Sequence, residues 1–225
     1  MSEDSRTDDL LARLTADLRP VRRVAHPAMA VLAWLTIAAL VIGVVVALSG
    51  FRDDIAHRLA QTTDLAQMLL AALVGMLAAF AAFQLALPDR DDRWALLPVP
   101  AAALWIATLG FGCLEDVARL GWEGLRLGTS FGCLRFIVGF AVPLTAAFLW
   151  FARHAAPLRP APVAALGGLA AAAITSIGLT LVHHLDAAVM VLVWHGGSVA
   201  LVVLLARLAA PVFARIGAPA LARRG

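Results

Sequence analysis

Two copies of one tetrapeptide, FGCL, lie at residues 111–114 and 131–134, and each holds one of the chain's two cysteines. A thiol pair in matching frames can do three things. As a disulfide it would close a loop of about twenty residues and stabilise the fold by roughly 3 kcal/mol. As buried free thiols it would only pack. As a switchable pair it would change local geometry on oxidation, reduction or binding of a soft metal ion. Farther along, the run HHLDA brings His183, His184 and Asp186 into play. Cysteine and histidine are the donors of a soft-metal site, with Cys113, Cys133 and His184 as candidate ligands. However, neighbouring histidines seldom both hold one ion, and no Cys-x-x-Cys pair anchors such a site. His195, in VLVWHGG, reads as a neutral ring bonded to a neighbouring helix, because no second ligand stands at matching depth.

Which of these chemistries is open depends on the elements that carry the residues. The chain is 62% hydrophobic and only 15% charged, with a mean hydropathy of +0.87, far more apolar than a soluble domain of 225 residues. A hydrocarbon core about 30 Å thick needs roughly 20 apolar residues in a helix. Six runs qualify: Ala28 to Leu48, Leu65 to Leu87, Ala95 to Cys113, about Phe136 to Ala152 with Pro143 inside, Pro162 to Val182, and Ala187 to Ala206. Helical spans satisfy their backbone groups internally, so the expected fold is an all-α polytopic membrane protein with six transmembrane helices. The expected organisation is a partner-binding segment at 1–27, a transmembrane domain at 28–206 and a basic tail at 207–225. The first apolar run follows an acidic leader and reads as an anchor, not as a cleaved signal.

The chain has 18 arginines and no lysine. With a cytoplasmic N-terminus, thirteen of the eighteen arginines fall in the inside segments, so the basic residues place both termini in the cytoplasm. Cys113 then ends the third span and Cys133 precedes the fourth on the extracytoplasmic side, which in a Gram-negative organism is the periplasm, where disulfides persist. Adjacent antiparallel helices lie about 8–10 Å apart, close enough for such thiols to meet. The net charge of +3 comes from arginines at membrane edges, where they meet lipid head groups; no direct nucleic-acid partner is expected.

The six runs contain no Asp, Glu, Lys or Arg, which disfavours pumps, transporters and proton relays. A membrane thiol oxidoreductase or small-molecule carrier is the alternative class, and the oxidoreductase lacks its usual Cys-x-x-Cys pair. No enzyme activity and no resident cofactor are expected beyond a transient soft metal ion. Ala164, Gly168, Ala172 and Ser176 recur every four residues and form a face for close helix approach, read first as packing within the chain and second as a homodimer surface.

The leader TDDLLARLTADLRPVRR reads as a short helix with Thr7 as N-cap and Pro20 as its stop. Leu10, Leu14 and Leu18 repeat at i, i+4 and i+8 with Leu11 alongside, an apolar stripe that a helix this short must bury on something. A membrane surface is one candidate and a partner's apolar groove another. Asp4, Asp8, Asp9 and Asp17 would be repelled by anionic lipid, which favours the partner.

These pieces together resemble the NrsF family of bacterial six-span inner-membrane anti-sigma factors. The resemblance rests on the leader, FQLALPDRDDRWALLPVPAAALWIA, GCLEDVARLG to SFGCLRF, GGLAAAAI and HHLDAAVMVLVWHGG, in that order. It implies that the leader sequesters an extracytoplasmic-function sigma factor at the membrane. It also implies that periplasmic-side cysteines take part in sensing heavy-metal or oxidative stress. Some members carry a cysteine in the loop before the last span, where this chain has His183 and His184, so Cys133 matches a sensing position better than Cys113. The chain then either pairs its two cysteines with each other or uses Cys133 with a histidine around an ion.

Overall fold

The computed structural model of the chain describes residues 3–16, 25–125, 130–155, 158–183 and 188–217. Among them every regular element is helical. Helix α1 (Glu3–Ala16) is the leader; the bundle then comprises α2 (Pro27–Ser49), the short α3 (Ile55–Ala60), α4 (Thr62–Leu85), α5 (Val99–Leu120), α6 (Phe131–Ala152), α7 (Pro160–Val182), the one-turn α8 (Ala188–Met190) and α9 (Gly196–Gly217). Six helices are long and apolar enough to cross a membrane, as the hydropathy pattern requires.

Local chemistry sets the ends. α2 starts on Pro27, a residue suited to a position where no amide partner exists, and the His26 ring accepts from the Ala28 N–H at 3.3 Å. It stops at Gly50, whose φ of 79° an L side chain would resist. α5 stops in the same way at Gly121, with φ 65°.

α7 is the axis of the bundle. Its small-residue face is buried throughout and packs on α4, α6, α9 and α2. A Cβ at Gly168 would sit 2.8 Å from the Ala206 Cβ and 3.3 Å from the Val202 carbonyl, so this backbone approach tolerates only glycine. The face is therefore used inside the chain. Around Phe148 the core is aromatic: Trp34 meets it edge-on at 5.5 Å between centroids and Phe83 lies at 4.3 Å. The Trp34 indole N–H donates to the Leu144 carbonyl at 3.0 Å, so the buried polar atom is satisfied across two helices. At the end that carries both termini, Arg159 pairs with Asp92 and donates to the Arg90 carbonyl at 3.2 Å, joining two interhelical connections.

Four boundaries differ from the sequence expectation. α5 does not end at Cys113 but continues to Leu120, because Glu115, Asp116 and Arg119 turn toward a polar cavity. α6 starts at Phe131, so Cys133 lies in its first turn instead of ahead of it. The last helix runs on through Ala206 to Gly217, so the segment after 206 begins as helix. The leader helix starts at Glu3, four residues before Thr7, in keeping with the preference of a helix N-terminus for acidic sequence.

Candidate functional site

At the end of the bundle opposite the termini, α4, α5, α7 and the start of the last span surround a cavity of about 380 Å³. The sequence between α2 and α4 builds its charged wall. After Gly50 turns the chain, Phe51 stays exposed and Arg52 swings inward, where it is only 4% exposed. A buried guanidinium must be paired. Arg52 Nη2 donates to Asp54 Oδ2 at 2.8 Å, Nε donates to Oδ1 at 2.5 Å, and Nη1 donates to the His183 carbonyl at 2.9 Å. The Arg52 hydrogen bonds hold the Asp54 carboxyl at about 2, well below its ordinary 3.8, against the opposing cost of burial. Arg58 extends the network with contacts to Asp54 at 3.5 Å and Asp64 at 3.0 Å.

Histidines supply the inner wall. His183 caps the end of α7, and His195 lies 93% buried at the end of a π-helical turn, Val191–His195, the kind of local widening that recurs at functional sites. His183 Nδ1 and His195 Nε2 are both buried without a hydrogen-bond partner. Behind the cavity a smaller one, lined by Gln67, Trp105, Ser176 and Thr180, carries the polar lining deeper and shares Asp64 and His195 with it.

The two cysteines are free thiols. Cys133 is fully buried, and its Sγ accepts from the Ser130 hydroxyl at 3.1 Å. Cys113 is half-buried on α5. Among the described residues α5 and α6 do not pack as a pair: α5 leans on α4 and the start of the last span, α6 on α7 and α9. His183 is the residue the fold brings to the second FGCL: a Cβ at Gly132 would lie 3.0 Å from its Nε2. His184 and Leu18 lie outside the described residues. Among the described residues no three His, Cys, Asp or Glu side chains are grouped to hold a metal ion.

At the other end, Leu10, Leu11 and Leu14 are 56%, 54% and 61% exposed on α1, with Asp9 and Arg13 paired at 2.8 Å beside them. Sequence reasoning did not single out Arg52, whose local signal is a basic residue within a few positions of a span end, and it read His195 as a neutral ring bonded to a neighbouring helix, whereas its Nε2 has no hydrogen-bond partner.

A family model described as NrsF, negative regulator of sigma F, matches residues 14–215. The chain belongs to the NrsF family. The match begins within α1 and ends within α9, so it covers every span and both FGCL copies. No curated protein and no solved structure matches the chain. NrsF membership makes the chain a multi-pass negative regulator with a sigma factor as its partner, a role that is not enzymatic.

Proposed function

We propose that this protein is an inner-membrane anti-sigma factor. In this reading Leu10, Leu11, Leu14 and Leu18 hold an extracytoplasmic-function sigma factor away from RNA polymerase at the cytoplasmic face, and stress at the periplasmic face releases it. Cys133 is the centre of the sensing site, with His183 against the neighbouring Gly132 and with Cys113 and His184 as its other members. A soft metal ion or an oxidant is the stimulus, since thiolate and imidazole are ligands for the one and the thiol is a substrate for the other. Residues 1–27 bind the partner, 28–206 anchor and sense, and 207–225 form a basic cytoplasmic tail.

The observation that carries this reading is the leucine face of α1, more than half exposed at all three described positions. A stripe of that kind on a tethered helix fits an apolar groove on a partner. The experiment is co-purification of the full-length protein with the sigma factor, comparing wild type with Leu10→Glu and Leu14→Glu. The sigma factor should accompany the wild type and be lost from both variants, while all three remain in the membrane. Equal recovery with the variants would overturn the leucine-face assignment. A thiol reagent unable to cross membranes tests the orientation: labelling of Cys113 only after the cells are opened would invert it.

A further inference from the structure

At its end α7 has one capping bond of its own, from the His183 N–H to the Leu179 carbonyl at 2.9 Å. Its last turn contains no basic residue, and the residue that follows is His183 in an extended conformation, not a glycine. The final carbonyls of a helix have no partner within it and must find one elsewhere. Arg52, 131 positions away in sequence, supplies two donors: its backbone N–H reaches the Leu181 carbonyl at 3.0 Å, and its Nη1 reaches the His183 carbonyl at 2.9 Å. A cation at a helix C-terminus also complements the helix dipole. Asp54 grips the other side of the same guanidinium through two oxygens, which fixes its plane.

The capped end of α7 presents His183 to the first turn of α6. At Gly132 the absence of a side chain lets the ring approach the backbone, and the next residue is Cys133, which has no exposed surface. The chain of contacts therefore runs from Asp54 through Arg52 and His183 to Gly132, the residue before the thiol.

We propose that Arg52 is the positioning residue of the sensing site: it caps α7 so that His183 covers the start of α6, and it thereby sets how readily Cys133 reacts. This rests on the sensing role proposed above for Cys133. Removing the guanidinium takes the Nη1 donor from the His183 carbonyl, loosens the end of α7 and uncovers the thiol.

The test uses the full-length protein in native membranes, a membrane-permeant maleimide, and mass spectrometry that reads the two cysteine peptides separately. Arg52→Gln should speed labelling of Cys133 about tenfold through easier local opening, and leave Cys113 within about a factor of two. Arg52→Lys, which keeps the charge and one donor group, should fall between Gln and wild type; that graded rescue is not expected from general loosening. Should Arg52→Gln fail to accumulate, Asp54→Asn carries the test, since it loosens the carboxylate's grip on the guanidinium but keeps the Nη1 bond to the His183 carbonyl; Cys133 should then label about threefold faster. A Cys133 rate unmoved in these variants, or a Cys113 rate that rises equally, overturns the positioning role. Transcription from sigma-dependent promoters separates the two readings. A lower inducer threshold in Arg52→Gln supports both, whereas faster labelling with an unchanged threshold keeps the positioning role and overturns the sensing role of Cys133.

Discussion

The two FGCL copies are identical in sequence and opposite in surroundings. In the first, Phe111 and Leu114 are exposed at 55% and 68%, Gly112 lines the charged cavity and Cys113 is half-buried on a helix that leans on few neighbours. In the second, Phe131 meets Trp194 edge-on at 5.5 Å, Gly132 receives the His183 ring and Cys133 is sealed in the core. The tetrapeptide does not decide a thiol's environment; the helices packed on it do. α6 is built into the bundle around α7, and α5 stands at its flank, so a symmetric motif becomes one accessible and one covered cysteine.

The most direct way to break this contrast is to measure it. With a membrane-permeant maleimide on the wild-type protein, Cys113 should label about a hundred times faster than Cys133, because the second thiol must wait for a local opening. Equal rates would mean that α6 does not stay seated on α7 and that the contrast between the copies is lost.

A smaller effect should come from glycines beside the two thiols. A Cβ at Gly132 would press on His183 at 3.0 Å, while a Cβ at Gly110 meets nothing within 4 Å. Gly132→Ala should destabilise the bundle by about 1 kcal/mol through overpacking and quicken Cys133 labelling. Gly110→Ala should stabilise α5 by about 0.5–1 kcal/mol, since glycine inside a helix costs about that much, and leave both rates alone. Unfolding of the two variants in a denaturing detergent series measures the difference and its sign.

The glycine pair also shows what the sequence could and could not carry. Hydropathy located six spans because each is a long uncharged run, and the four-residue spacing of small side chains located the face on which α7 packs. It could not see that Glu115, Asp116 and Arg119 continue α5 as helix. A charged stripe facing a polar cavity and a charged loop have the same composition. Nor could it assign Arg52, whose carboxylate partner lies two residues away but whose carbonyl partner lies 131 away; nothing in a short window links them. The π-helical turn at His195 left no local signal, because VLVWH reads equally well as ordinary helix. The leucines of α1 were legible as a stripe, and Leu10, Leu11 and Leu14 are exposed among the described residues.

The subtlest test asks whether acid erases the difference between the thiols. On the positioning role proposed above, the His183 ring seated at Gly132 helps to cover Cys133, and the His183 carbonyl is held by Arg52 paired with Asp54. The Asp54 carboxyl titrates at about 2 in the folded protein against an ordinary 3.8. A group lowered in this way contributes its stability in full above the ordinary value and loses it as pH falls toward the folded one. Between pH 7 and 5 the pair should therefore stay intact and weaken only below about 4. Both thiols label more slowly in acid as thiolate becomes rarer, so the readout is the ratio of the Cys113 rate to the Cys133 rate, which should hold constant over pH 7 to 5. In Asp54→Asn the ratio should be lower than in wild type and equally flat. A ratio that collapses between pH 7 and 5 in both proteins would overturn the role of the Asp54 carboxylate in holding the cover.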